Sequence, residues 1–160
     1  MDIIGKSPIP IPSLILGKIA LVGCWLFFLT KKLGVEMLYN SPAADAVGIA
    51  LFVAGFILVV VSLAQLGQSA AVGFPERKTE LKTRGLYRFS RNPVYVGGFL
   101  MCVGACLYAF HVVNFLLFAI ALPVHLQIVK KEEAFLEKRF GEQWLEYKRR
   151  VPRYVGRTRK

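Results

Sequence analysis

From Asn92 to Val129 the chain runs 38 residues without an Asp, Glu, Lys or Arg. As one helix that stretch would measure roughly 57 Å at ~1.5 Å per residue, about twice the ~30 Å of a bilayer's hydrocarbon core. It must turn back on itself, and its most polar point, around His111 and Asn114, predicts where. Two spans result, 94–110 and 112–129, and a hairpin necessarily brings their outer ends to one side of a membrane. A second uncharged stretch, 46–75, holds a span over 46–66. Residues 13–30 are also apolar apart from Lys18, whose stem can snorkel to an interface. Pro8, Pro10 and Pro12 precede that segment and no cleavage-site pattern follows it, so it reads as a retained span rather than a signal peptide. The expected fold is all-α: an integral membrane helical bundle of about four transmembrane helices in a single domain over residues 1–160.

Composition agrees, with 55% hydrophobic residues, 19% charged and a mean hydropathy of +0.49. A soluble nucleic-acid-binding domain would not carry uncharged runs of this length, so the net charge of +11 needs another origin and no nucleic-acid partner is expected. Three Cys without paired spacing and two His exclude a disulfide framework and a zinc module, so no metal is expected. Seventeen of the 21 Lys and Arg fall in the segments 67–93 and 130–160, the two that the hairpin places on one side. The positive-inside rule makes that side cytoplasmic, and four spans then put the N- and C-termini there too, in a multi-pass protein in contact with membrane lipids. Lys31 and Lys32 fall on the outer loop against this trend, with Glu36 and Asp45 near them. For most of the basic residues topology and attraction to anionic lipid are explanation enough.

The hairpin makes neighbours of two polar segments. One holds Gly85, Tyr87, Arg88, Arg91, Asn92 and Tyr95; the other holds the paired acids Glu132 and Glu133 at the end of a membrane helix. Carboxylates at a helix C-terminus oppose its dipole, and charge near membrane depth is expensive, so these acids call for cations: Arg88, Arg91, Lys130 or Lys131. Two readings stand: a salt-bridge lattice that anchors the hairpin, or a polar ligand pocket at the cytoplasmic mouth of an apolar bundle. Beyond the acids, Leu136, Phe140, Trp144, Tyr147 and Val151 share one helical face, predicting a C-terminal cytoplasmic amphipathic helix that Gly141 interrupts and Pro152 ends. It can lie in the headgroup layer, cover the pocket, or both. His125 and Gln127 form a polar pair inside the last span, which is functional by default. Cys102 and Cys106 read as packing residues, and Gly97, Gly98 and Gly104 as points of close helix approach.

The run Leu81-Lys82-Thr83-Arg84-Gly85-Leu86-Tyr87-Arg88-Phe89-Ser90-Arg91-Asn92-Pro93-Val94-Tyr95-Val96-Gly97 resembles the cofactor-site signature of the isoprenylcysteine carboxyl methyltransferase family, whose superfamily includes the membrane phospholipid methyltransferases. Glu132-Glu133, Phe140-Gly141, Tyr147 and Val151-Pro152 resemble the second half of that signature, so the likeness covers residues 80–152 in two blocks around the hairpin. The resemblance implies S-adenosylmethionine as methyl donor, bound at the cytoplasmic end of the last two spans under the C-terminal helix. Carried over by position, Tyr87, Arg91, Asn92, Tyr95, His125, Glu132 and Glu133 would line that site, with Arg91, His125 and Glu132 closest to the chemistry. Many members have His where this chain has Asn92; the amide still hydrogen-bonds but cannot titrate, so proton transfer at that position is not expected.

Physical chemistry is compatible with that implication. Carboxylates can accept from ribose hydroxyls or an ammonium group, Arg91 can pair a carboxylate bidentately, and Tyr87, Tyr95 or Trp144 can cover the adenine or the sulfonium. Methyl transfer to a carboxylate or thiolate needs no general base, whereas an amine acceptor would need a proton sink, for which His125 is the candidate. The expected acceptor is lipophilic or prenylated, first an isoprenylcysteine α-carboxylate. The alternatives are a phospholipid or other small lipophilic N-, O- or S-acceptor, a reductase like the membrane sterol reductases, and a non-enzymatic scaffold binding anionic lipid.

Overall fold

A computed structural model describes residues 10–67 and 80–156. Pro8, named above, and Arg77, Lys78, Arg157, Arg159 and Lys160, which are among the seventeen basic residues counted above, lie outside them. The described residues form five α-helices and no strands: α1 (Ile11–Phe27), α2 (Pro42–Leu66), α3 (Pro93–Tyr108), α4 (Val112–Phe140) and α5 (Glu142–Arg150). Pro starts α2 and α3 at positions where a missing N–H costs nothing. By length and composition α2 and α4 can each cross a membrane; α1 and α3 are shorter apolar helices of 17 and 16 residues.

The hairpin turns where its polar residues predict. His111 is the N-cap of α4, its Nδ1 accepting from the Val113 amide at 3.2 Å, and buried Asn114 donates to the Ala109 carbonyl at 3.4 Å. The third helix ends at Tyr108 rather than 110, because Phe110 pairs with Tyr39 in an isolated bridge and accepts from the Leu38 amide at 2.9 Å. At this same end Lys31 meets Asp45 at 2.5 Å and lies 5.0 Å over the Tyr108 ring, which answers one of the two lysines that ran against the charge asymmetry.

α3 is the central helix. Gly48, Gly55 and Ser62, seven residues apart, are the buried positions of α2, and the two glycines face Gly104 and Gly97 of α3. A Cβ at Gly97 would stand 2.7 Å from the Gly55 carbonyl oxygen, and one at Gly104 would stand 2.6 Å from that of Gly48. Backbone therefore packs on backbone along an antiparallel pair. On the other side α1 runs antiparallel to α4, with Gly17 against Val124 and Gly23 against Leu117. Cys24, Cys102 and Cys106 are free thiols packed with Ala20, Ala105 and Ala121 in the core, as packing residues should be. The outward flanks of α1, α2 and α4 expose Ile15, Ile19, Phe56, Ile57, Leu116 and Ile120. A soluble monomer does not leave apolar surface on this scale in water; a membrane protein requires it.

Two expectations are corrected. The helix of the last apolar span does not end at the paired acids: α4 continues to Phe140, so Glu132 and Glu133 sit inside a helix and escape the dipole penalty of a C-terminus. The C-terminal amphipathic face is not one helix either. Gly141, with φ 53° and ψ −123°, breaks it, so α5 leaves at a new angle. Its apolar residues still converge: Leu136 and Phe140 from α4 pack with Trp144, Tyr147 and Val151, and Leu81 closes the cluster.

Candidate active site

Consecutive residues on a helix point about 100° apart, so the paired acids face different neighbours. Glu133 looks toward the Arg-Asn-Pro turn and is almost fully enclosed, its side chain 6% exposed. Its Oε1 lies 3.2 Å from Arg91 Nη2 and accepts from Asn92 Nδ2 at 3.2 Å. Its Oε2 accepts from Arg153 Nε at 2.9 Å and Nη2 at 2.7 Å. Such charge-assisted bonds are what make a buried carboxylate tolerable. Arg153 is a residue the sequence reading missed; Lys130, Lys131 and Arg88, named as candidate partners, form no ion pair with either acid among the described residues.

The Arg-Asn-Pro turn is tied to the chain's C-terminal stretch by backbone as well. The Arg91 amide donates to the Pro152 carbonyl at 2.9 Å, and Ser90 Oγ and Asn92 Nδ2 donate to that of Arg153 at 3.3 and 3.1 Å. Arg91 Nη1 donates to the Lys148 carbonyl at 3.3 Å, and its guanidinium lies 5.7 Å over the Trp144 ring. Burial pulls the Arg91 pKa down while the Glu133 carboxylate opposes that, and hydrogen bonding to Glu133 raises that of Arg153. Tyr87 is pushed up to about 12, first by burial and then by the charge of Glu132. Its hydroxyl donates to the Ser62 carbonyl at 3.4 Å, and its own carbonyl accepts from the Tyr147 hydroxyl at 2.6 Å. The 3-10 turn Gly85–Arg88 is thereby pinned between the end of α2 and α5.

Glu132 faces the other way and accepts from the Tyr95 hydroxyl at 2.9 Å. His125, fully buried about two turns earlier on the same face of α4, has its ring centroid 6.1 Å from that of Tyr95 and 6.5 Å from that of Phe99. Tyr154, a second residue missed in the sequence, closes this aromatic group with its ring 6.4 Å from Phe99. His125 Nδ1 lies 2.8 Å from the Ala121 carbonyl, which can only accept, so Nδ1 carries the proton and, in the neutral ring, Nε2 keeps its lone pair. That Nε2 is buried with no partner, as are Arg91 Nε and Trp144 Nε1. Orphaned buried polar atoms are rare enough to ask for a ligand. Lys18, named above for its snorkelling stem, is exposed on α1 beside Gly17, which seats that helix on Val124. Gln127, paired with His125 in the sequence reading, is exposed and separate from the site.

The seven site residues expected from sequence thus fall into two adjoining groups on the same end of the α3–α4 hairpin. Arg91, Asn92 and Glu133 form a closed ionic clasp with Arg153, next to Tyr87, whose bonds go to Ser62 and Tyr147; Tyr95, His125 and Glu132 form a smaller polar cluster with orphaned bonding capacity. Of the two alternatives, lattice or pocket, Glu133 takes the first, since its oxygens are engaged by Arg91, Asn92 and Arg153.

A profile of the phospholipid methyltransferase family matches residues 43–143, which span α2, α3 and α4. Among curated proteins, the chain is 32% identical over 95 residues to a protein-S-isoprenylcysteine O-methyltransferase of Schizosaccharomyces pombe, covering 57% of this chain and 40% of that protein. It is 26% identical over 155 residues to protein-S-isoprenylcysteine O-methyltransferase B of Arabidopsis thaliana, covering 92% of this chain and 79% of the relative. With the enzyme of that name from Rattus norvegicus the identity is 25% over 138 residues, 84% of this chain and 49% of the relative. The chain therefore spans less than half of the yeast and rat proteins and most of the plant one.

Proposed function

Because the chain belongs to the phospholipid methyltransferase family, we propose that it is an integral membrane methyltransferase that uses S-adenosylmethionine and acts on a lipophilic acceptor, first the carboxylate of an isoprenylcysteine-like molecule. In this reading α1 to α4 are four spans, the N- and C-termini are cytoplasmic, and the site opens to the cytoplasm for the cofactor and to the bilayer for the acceptor. The observation that carries it is the meeting of Arg91, Asn92 and Glu133 with Tyr95, His125 and Glu132 at one end of the α3–α4 hairpin.

The residues suit the cofactor. Arg91 Nε and Trp144 Nε1 are buried donors without acceptors, the complement of a carboxylate, and His125 Nε2 is a buried acceptor without a donor, the complement of an ammonium or a ribose hydroxyl. When bound, S-adenosylmethionine would supply a methyl group on a sulfonium that leaves as a neutral thioether. Tyr87, Arg91, Asn92, Tyr95, His125, Glu132 and Glu133 would hold it, with the clasp on Glu133 fixing the Arg-Asn-Pro turn and Glu132 facing the polar groups. Arg91, His125 and Glu132 would stand nearest the reacting atoms, and Lys18, on the lipid-facing side of α1, would favour an anionic acceptor. For a carboxylate acceptor these groups orient and exclude water, because the acceptor arrives already deprotonated. The free lone pair of His125 Nε2 favours a second reading, an amine acceptor of the phospholipid kind, for which it would take up the proton.

Calorimetry of the detergent-purified chain with S-adenosylhomocysteine should give saturable one-site binding. Tyr95→Phe, which removes only the hydroxyl bonded to Glu132, should weaken it about 10- to 150-fold, the loss expected when a bond to a charged group is cut. Absence of binding by the wild-type chain would remove the methyltransferase reading, whereas unchanged affinity in Tyr95→Phe would remove Glu132 and Tyr95 from the site.

A further inference from the structure

Two recesses lie outside that site, and both open off the same 3-10 turn, Gly85–Arg88. The first is an apolar groove of about 350 Å³ on α2, lined by Ala54, Ile57, Leu58, Val61 and, from the turn, Leu86. Ile57 and Val61 are 55% and 38% exposed, so the groove faces outward, onto what the membrane reading makes the lipid side. The second recess, about 230 Å³, is lined by Thr83, Arg88, Tyr147, Arg150 and Val151. None of the seven residues proposed to hold the cofactor lines either one.

Their chemistries differ in a way that one class of molecule satisfies. No carboxylate lines the polar recess, and two guanidinium groups do. Arg88 rests on the Phe89 ring at 5.4 Å and forms no ion pair among the described residues. Arg150 meets Glu146 at 3.4 Å in an i,i+4 contact with both side chains more than 60% exposed, a contact too weak to hold it from a better partner. Planar guanidinium forks match the oxygens of a phosphate, and the Thr83 hydroxyl adds a donor. The groove on α2 offers no polar group beyond backbone and takes a hydrocarbon chain. A phosphate-matching recess and an acyl-matching groove that share one turn, at the end of the bundle where basic residues gather, describe a phospholipid lying beside α2.

We propose that these two recesses form a binding site for an anionic phospholipid, its phosphate between Arg88 and Arg150 and one acyl chain along α2, held as a bound lipid rather than as methyl acceptor. Such a lipid braces the turn that carries Tyr87 against the end of α2, where the Leu86 amide already donates to Gln65 Oε1 at 2.8 Å.

The test is native mass spectrometry of the full chain in detergent, titrated separately with dioleoylphosphatidylglycerol, dioleoylphosphatidylcholine and inorganic phosphate. The anionic lipid should be retained about 10- to 30-fold better than the zwitterionic one, the discrimination two interfacial arginines supply. Arg88→Gln with Arg150→Gln should abolish that preference, and Val61→Trp, which fills the groove without touching a charge, should weaken retention of both lipids at least 5-fold. No headgroup preference in the wild-type chain, or one that survives the double substitution, overturns the proposal. Inorganic phosphate binding as tightly as the lipid would make the polar recess a free-phosphate site and overturn it equally. Should the double variant lose its thermal transition, Val61→Trp decides alone, and retention of the anionic lipid at wild-type strength there refutes the acyl placement.

Discussion

Glu133→Gln is expected to destabilise the protein by about 3–5 kcal/mol, the cost of leaving a buried ion pair with one partner. The side chains of Glu133 and Arg91 are 6% and 7% exposed, so neither solvent nor salt can replace what the carboxylate supplies. A neutral amide of the same size keeps one acceptor oxygen but turns the other position into a donor facing Arg153 or Arg91. Those bonds also set the Arg-Asn-Pro turn and residues 151–153, so cofactor affinity should fall with stability. Glu137→Gln is the matched control. That residue pairs with Lys148 at 3.0 Å with side chains 43% and 41% exposed, and its loss should cost no more than about 1 kcal/mol. Thermal unfolding of the two variants in detergent measures the difference. Equal small shifts would mean that Glu133 is not the keystone of this end of the bundle.

Gly97→Leu is the second large effect. The atom its side chain would meet first is the Gly55 carbonyl oxygen, 2.7 Å from the position of a Cβ, followed by Val59. A flexible neighbour could swing aside; a helix backbone cannot, so α2 and α3 must separate along their length. Overpacking typically costs about 1–3 kcal/mol, and here it reaches the upper end or beyond because the obstacle is main chain. Gly23→Ala, whose new methyl would find only the Leu117 side chain at 3.4 Å, should be neutral within about 0.5 kcal/mol. Size-exclusion profiles and melting curves compare them directly, and a Gly97→Leu protein that elutes and melts like Gly23→Ala would contradict the backbone contact.

What the sequence made legible was whatever depends on the absence of charge. A 38-residue uncharged run can only be a hairpin, its polar point marked the turn at His111, and the hairpin brought the Arg-Asn-Pro turn beside the paired acids. Periodicity also identified the face from Leu136 to Val151, although Gly141 splits the helix that was to carry it, because φ 53° is open to glycine and nothing else in the run announces a break. Features that depend on side-chain direction were not legible. Two adjacent glutamates read as a pair, yet their 100° divergence on α4 sends one to the clasp and the other to Tyr95. Arg153 follows Pro152 in a stretch without periodicity, and only the fold returns it to Glu133. Gly48 and Gly55 carried a heptad spacing that could have announced the contact with Gly97 and Gly104, a signal present in the letters and overlooked. Lys31 and Asp45, fourteen residues apart, show the limit of charge counting, since a basic residue that runs against the asymmetry is paired there with an acid.

The most direct measurement is methyl transfer itself. Purified chain reconstituted into liposomes would be given S-adenosylmethionine labelled in the methyl group, with a farnesylated cysteine derivative as acceptor and, separately, with phosphatidylethanolamine. The expected result is label entering the organic phase with the farnesylated acceptor and leaving it as volatile methanol on mild alkali, because a methyl ester hydrolyses and an N-methyl group does not. Alkali-stable label on the phospholipid would instead establish the amine acceptor and give His125 its proton-accepting role. No transfer to either lipid, from a chain that also fails to bind S-adenosylhomocysteine, would contradict the assignment of a methyltransferase site to the Arg-Asn-Pro end of this bundle.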